Sequence, residues 1–373
     1  MVDSNNRHLM QPSSYKNPGN TLLIRYLIMD ANNLSIIIPV LNDAPVLRQL
    51  LEQLARQEGI NYELLVADGG STDASVTVAR SHGALLVTTP PGRGRQMNAA
   101  AALATGEHLL FVHADSRLPH PLFLAEAMDF MCQTLRTEPC SAGHFSLHFF
   151  DSSANGKNWW SFWETKSRLN RPECIHGDQG LWITRPLFDV IGGFDATYPF
   201  LEERLLTQKI SHLGQWVLLP GRLETSSRRF IQEGLVQRTL LNALMMICHE
   251  IELHDFLQRA PALYREHGKT RHPLTMLPFF RLITDLQRAM SPKQRGCHWH
   301  AIGRSLRRSL WQIFLFFDVL SHNNTVPNPL LFLHFFNRHL EPLLPRLLPD
   351  PVAAVGSRLL FHSLRLYFQW SEH

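Results

Sequence analysis

Residues 34–73 read LSIIIPVLNDAPVLRQLLEQLARQEGINYELLVADGGSTD, and they lay out a strand, a helix, a second strand and a turn. Leu34 to Pro39 is a short β-branched apolar run closed by proline, the pattern of a buried parallel strand feeding a loop at its carboxyl end. Asn42 and Asp43 lie on that loop. Val46, Leu47, Leu50, Leu51 and Leu54 then recur at helical spacing. Tyr62 to Ala67 is the second strand, and Asp68 to Asp73 (DGGSTD) is a turn that opens the next helix.

The alternation continues with a strand at Ala84 to Thr88, an Ala-rich helix at Gln96 to Ala104, and a strand at His108 to His113 that runs into Ala114, Asp115 and Ser116. Strands alternating with helices predict an α/β domain, a mostly parallel central sheet flanked by helices, with ligands bound outside the carboxyl ends of the strands. Three loops that follow strands carry acids: Asp43, Asp68 and Asp115. After Cys140 the pattern loosens. A helix is expected at Leu205 to His212, a strand at Trp216 to Leu219 and one long helix at Leu235 to Leu257.

Composition bounds the reading. With 45% hydrophobic and 18% charged residues, the 373-residue chain sits in the globular range, away from disordered or collagen-like sequences. Residues 1–33 are polar and read as a disordered leader, with Met29 as an alternative start; residues 34–257 read as a catalytic domain and 258–373 as a basic, mainly helical C-terminal region. Five cysteines at irregular spacings, with no CxxC pair, fit a reducing cytoplasm better than a disulfide framework or a zinc site. No window approaches ~18 consecutive apolar residues, so no membrane-spanning helix is expected. His249 and His254 are five residues apart, not the four that would put two imidazoles on one helical face, which excludes the zinc-protease pattern.

Charge is distributed unevenly. Residues 1–256 hold 21 basic and 26 acidic side chains, a balance of −5, whereas residues 257–373 hold 15 and 6, a balance of +9. A basic C-terminal region points to an acidic partner, either anionic lipid or a phosphorylated molecule, or simply to a solvated basic face. Within it Arg304, Arg307 and Arg308 precede Trp311, Phe314 and Phe317 on what reads as one amphipathic helix, a candidate for peripheral contact with an anionic membrane or for packing on the catalytic domain. No nucleic-acid partner is expected.

Acids and cations on the loops that follow strands suit a ligand that presents hydroxyls to bond and phosphates to neutralise. Asp43 and Asp68 could accept from ribose hydroxyls, and Asp68, Ser71 and Asp73 are equally suited to capping a helix. Arg93, Arg95 and Gln96, in the glycine-flexed segment GRGRQMN, could hold phosphate with guanidinium groups and backbone N–H groups. Asp115, with His113 two residues before it, could bind Mn2+ or Mg2+ bridging the phosphates, or His113 could be a satisfied core residue. The dinucleotide glycine register is missing its third glycine, which weakens a hydride-transfer reading.

Taken in order, IPVLND (Ile38 to Asp43), ADGGSTD (Ala67 to Asp73), GRGRQMN (Gly92 to Asn98), HADSRLP (His113 to Pro119), GDQGLWI (Gly177 to Ile183), GGFD (Gly192 to Asp195) and FLEERLL (Phe200 to Leu206) resemble the family 2 glycosyltransferases of the GT-A fold. The likeness is nearest to the bacterial group named for arsenosugar biosynthesis, and it spans roughly Leu34 to Leu240. It implies a nucleotide-sugar donor, a divalent metal and an inverting single displacement onto an acceptor hydroxyl. By position it implies that Pro39, Val40, Asp43, Asp68 and Gly69 line the donor. It implies too that Asp115 is the metal-motif acid, that Gly177, Asp178 and Gln179 shape the acceptor side, and that Glu203, beside Glu202, stands where relatives place the base. HAD stands where many relatives have DXD, and EE where ED is usual. Those departures also admit a second reading, a non-catalytic nucleotide-sugar-binding or scaffold protein.

Overall fold

The computed structural model describes residues 33–152, 156–197, 200–267, 273–321 and 330–372. Apart from Asn33, the expected leader lies outside them. The chain divides into two compact units, one comprising residues up to His148 with Ser167–Thr225, the other Phe149–Lys166 with Ser226 onward.

The first unit is the α/β layer structure. Its elements are β1 (Leu34–Val40), α1 (Ala44–Leu54), β2 (Tyr62–Asp68), α2 (Ser75–Ser81), β3 (Leu85–Thr88), α3 (Arg93–Leu103), β4 (His108–Phe111), α4 (Phe123–Thr137) and β5 (Ser141–Phe149). After α5 (Lys157–Lys166), which belongs to the second unit, come β6 (Leu181–Thr184), α6 (Arg185–Ile191), α7 (Glu203–Leu213) and β7 (Gln215–Thr225). The strand order is β3-β2-β1-β4-β6-β5-β7. β1 pairs in parallel with β2 and β4, β2 with β3, and β6 runs antiparallel to β4 and β5.

Every residue of β1 is buried because helices cover both faces of the sheet. Side chains alternate: Ile36 and Ile38 join Leu47, Leu50, Leu124 and Met128 from α1 and α4, while Ile37 joins Met97, Ala100, Leu206 and Ile210 from α3 and α7. The carboxyl ends of β1, β2 and β4 deliver the acid-bearing loops to one edge of the sheet, as the βα alternation predicts.

The second unit is helical among its described residues. It holds α5, α8 (Arg228–Glu233), α9 (Leu235–Glu250), α10 (His254–His267), α11 (Leu277–Ala289), α12 (Pro292–Arg308), α13 (Trp311–Ser321), α14 (Leu331–Phe335), α15 (Leu344–Leu347) and α16 (Asp350–Ser371). Two expected long helices are each broken. The one over 235–257 stops after Glu250 because Glu252 takes a left-handed φ of 57° and the Leu253 N–H reaches back to the Cys248 carbonyl at 2.8 Å. His249 and His254 therefore lie on either side of a helix break. The expected run from Arg304 to Phe317 breaks at Ser309, so α12 and α13 are separate helices. Arg304 and Arg307 pair with Asp350 at 3.0 and 2.9 Å, and Arg308 pairs with Glu250, so this basic cluster is tied to other helices.

Candidate active site

The loops after β1 and β2 are stitched together by their own side chains. Asn42, at a left-handed φ of 53°, accepts the Thr72 N–H at 2.7 Å and the Asp73 N–H at 3.3 Å, and its N–H donates to Ser71 Oγ. Asp73 accepts the Ala44 N–H at the start of α1 and both the N–H and hydroxyl of Ser75. The Ser75 hydroxyl is the largest of the influences that hold its carboxyl below the usual range. Asp68 is buried and accepts from the Gly70 and Ser71 N–H groups at 3.0–3.1 Å. Asp43 stands half-buried on the same rim. Pro39, Val40 and Gly69 are buried, and the Gly69 N–H donates to the Val40 carbonyl at 2.9 Å.

Gln96 is buried under this rim, giving its amide to the carbonyls of Val40 (2.9 Å) and Ala67 (2.7 Å). It locks β1, β2 and α3 together. Arg95 is exposed on the first turn of α3, and Arg93 is half-buried.

Arg93 is the centre of a second cluster. Its Nε lies 3.0 Å from Glu202 Oε1 and its Nη1 lies 3.5 Å from His113 Nε2. Burial works against its charge, but Glu202, Glu203, Asp178 and Asp115 outweigh that and raise its pKa. The His113 ring lies against Gly177, where a Cβ would stand 2.9 Å from Nε2, so a larger residue there would displace the ring. Beside it His176 Nδ1 is 3.4 Å from Glu203 Oε1. Gln179 is fully buried, accepting the His176 N–H and donating to the Ser167 carbonyl at 2.7 Å. Gln179 thus shapes the Gly177–Gln179 turn from inside.

The adjacent carboxylates are driven apart. Burial alone would raise Glu203, but the hydrogen bond and charge of His176, its own N–H at the start of α7, and Arg93 hold its carboxyl well below the usual range. Burial, reinforced by the charge of Glu203, lifts Glu202 above its usual range despite Arg93. Asp178 is lifted first by burial and then by Glu203 and Asp115, with His176 opposing. Glu202 Oε2 and Asp178 Oδ1 are buried and accept no hydrogen bond among the described residues.

His176 carries no signal in the sequence beyond its place directly before GDQG. Gln96, expected beside the donor phosphates, and Gln179, expected to shape the acceptor side, both have side chains bonded to backbone groups. Among the described residues no three His, Cys, Asp or Glu side chains form a ready-made metal cage.

Residues 35–181 match Glycosyl transferase family 2. A PGL/p-HBAD biosynthesis glycosyltransferase of Mycobacterium tuberculosis is 33% identical over 184 residues, covering 47% of this chain and 68% of the relative. Glucosyl-3-phosphoglycerate synthase of the same organism is 26% identical over 122 residues, covering 30% of this chain and 38% of the relative. A crystal structure of that synthase with Mn2+, uridine diphosphate and glucosyl-3-phosphoglycerate aligns at a TM-score of 0.41 and 19% identity, over 65% of this chain and 86% of the other.

Proposed function

Because this chain belongs to glycosyl transferase family 2 and is a glycosyltransferase, we propose that it moves a sugar from a nucleoside diphosphate donor to an acceptor hydroxyl by a single inverting displacement. The observation that carries this reading is the pair Glu202 and Glu203, adjacent carboxylates with opposed environments beside a half-buried arginine at the carboxyl edge of the sheet. A carboxylate kept ionised beside a guanidinium can serve as the general base for an acceptor hydroxyl.

The donor's nucleoside lies along the rim of Asp43, Asp68 and Gly69, with carboxylates accepting from ribose hydroxyls. Arg93 and Arg95, on the first turn of α3, and the N–H groups of that turn face the diphosphate. Glu203, kept ionised by His176, takes the proton of the acceptor hydroxyl as its oxygen attacks the anomeric carbon. Glu202 holds Arg93 in place. Gly177 and Asp178 border the acceptor.

The residues fit a divalent cation held in the open manner of magnesium and manganese sites, by one or two carboxylates together with substrate phosphates. Asp115, with His113 and the unbonded Asp178 Oδ1, would hold it, and it would neutralise the diphosphate as the leaving group departs.

The test is a thermal-shift screen of nucleoside diphosphate sugars with and without Mn2+. A ligand at ~100 times its dissociation constant stabilises by about 2.7 kcal/mol. The right donor raises the melting temperature, Mn2+ enlarges the shift, and Asp115→Ala removes the manganese-dependent part while the donor alone still binds. A manganese increment that survives in Asp115→Ala would take the metal away from that residue.

A further inference from the structure

We propose that the exposed face of α16 formed by Val352, Val355, Leu359, Leu366, Tyr367 and Trp370 docks in the plane of an anionic lipid bilayer. The proposal is independent of the transfer chemistry. It moves the expected membrane contact away from Arg304, Arg307 and Arg308, which are engaged in ion pairs, to a different helix.

α16 has two apolar faces. One is filled: Phe361 and Phe368 pack on Phe280 of α11 at ring separations of 5.2 and 5.8 Å, and Ala353 and Ala354 pass so close to Gly303 of α12 that a Cβ there would lie 2.6 Å from their backbone. The other face is in solvent. Val352, Val355, Leu359, Leu366 and Trp370 follow at intervals of 3, 4, 7 and 4, a single stripe along the helix. Leu359 is 65% and Trp370 80% exposed. At 1.5 Å per residue the stripe is about 27 Å long, far beyond a scattered surface leucine.

The charge beside that stripe selects the occupant. Residues 351–371 contain no Asp or Glu, and their charged side chains are Arg358 and Arg365. His362 lies on the same flank, and burial first, then Arg365 and Arg358, push its pKa down. The acids that flank residues 351–371 in sequence are engaged: Asp350 with Arg304 and Arg307, and Glu372 with the Met276 and Leu277 N–H groups. A second copy of α16 laid on this face would bring arginines together, and the one carboxylate of each helix, Asp350, is already paired with Arg304 and Arg307. Lipid phosphates answer Arg358 and Arg365 directly, while the aromatic rings of Tyr367 and Trp370 suit the headgroup boundary. No described helix is long and apolar enough to cross a membrane, so the contact is in-plane.

Flotation of the full chain with phosphatidylcholine vesicles, with or without phosphatidylglycerol, tests this. The parent floats with the anionic vesicles at low salt and less at high salt. Leu359→Glu with Trp370→Glu weakens vesicle binding about tenfold or more, since each side chain withdraws a buried apolar group. Arg358→Gln with Arg365→Gln weakens it about fivefold per arginine, the equivalent of about 1 kcal/mol each. The melting temperature is read alongside, and if the glutamates unfold the chain, Leu359→Ser with Trp370→Ser replaces them. The proposal is overturned by a parent that does not float, by equal flotation on both vesicle types, or by variants that float like the parent. It is equally overturned if sedimentation shows a dimer that Trp370→Glu dissociates.

Discussion

At the carboxyl edge of the sheet, carboxylate oxygens of Glu202, Glu203 and Asp178 are held out of water; along α16, Leu359, Tyr367 and Trp370 are held in it. Each region departs from the usual partition, and in opposite directions. The edge of the sheet tolerates buried carboxylates because two of the three have a side-chain partner, Arg93 for Glu202 and His176 for Glu203. The helix tolerates exposed apolar area because its other face is anchored by Phe361 and Phe368. The same lesson holds for both: a local departure stands where the surrounding packing over-determines the backbone, and it leaves groups ready for something from outside the chain.

The sharpest way to break the comparison is Glu203→Gln, which keeps the shape and removes the basicity. With the best donor from the thermal-shift screen, turnover falls by ~10² to 10⁴ while donor binding is retained. Steady-state rates and calorimetry read the two separately. Turnover within about threefold of the parent would hand the base role to Glu202, whose carboxyl is raised and whose Oε2 has no hydrogen-bond partner among the described residues.

Next in size is Arg93→Ala. It leaves Glu202 buried with no answering charge, and, discounted for the half-exposed arginine, the loss is about 1–3 kcal/mol by urea unfolding at neutral pH. The sign with pH follows from the raised carboxyl. A folded-state pKa above the unfolded value favours the folded chain below the unfolded pKa, and that advantage is lost as pH rises through the folded value. The Arg93→Ala defect therefore shrinks toward acid pH. In the double variant with Glu202→Gln the losses sum to less than additive, because one interaction is removed twice. Additive losses would mean that Arg93 and Glu202 do not support each other.

Much of this was legible in the sequence. LSIIIP and the spacing of Val46 to Leu54 fixed the strand and helix because burial on both faces and a helical stripe leave periodic traces. The loop acids stand out in the sequence because carboxylates after parallel strands are informative in themselves. What could not be read was partnership. Nothing in CIHGDQG says that His176 meets a glutamate 27 residues later, or that Gln96 and Gln179 turn inward to backbone carbonyls. The breaks at Glu252 and Ser309 were equally silent, since no glycine or proline marks either one.

The smallest effect comes from Asp73, an exposed acid on the β2 loop and a counterpart to the buried glutamates. Its carboxylate accepts from the Ala44 and Ser75 N–H groups and from the Ser75 hydroxyl, so it ties the loop after β2 to the first turn of α1 without being removed from water. Loss of an exposed carboxylate that accepts backbone N–H groups removes about 1 kcal/mol, and Asp73→Ala is expected to lower unfolding stability by that amount at neutral pH. Here the pKa is depressed, with the Ser75 hydroxyl as the main cause, so the sign is opposite to that of Glu202. The stabilisation is complete above the unfolded pKa and disappears as pH falls through the folded one. Urea curves of parent and variant should therefore differ at neutral pH and converge once both pKa values are passed on the acid side. A difference that persists at low pH would show that Asp73 acts through packing of the loop and not through its charge.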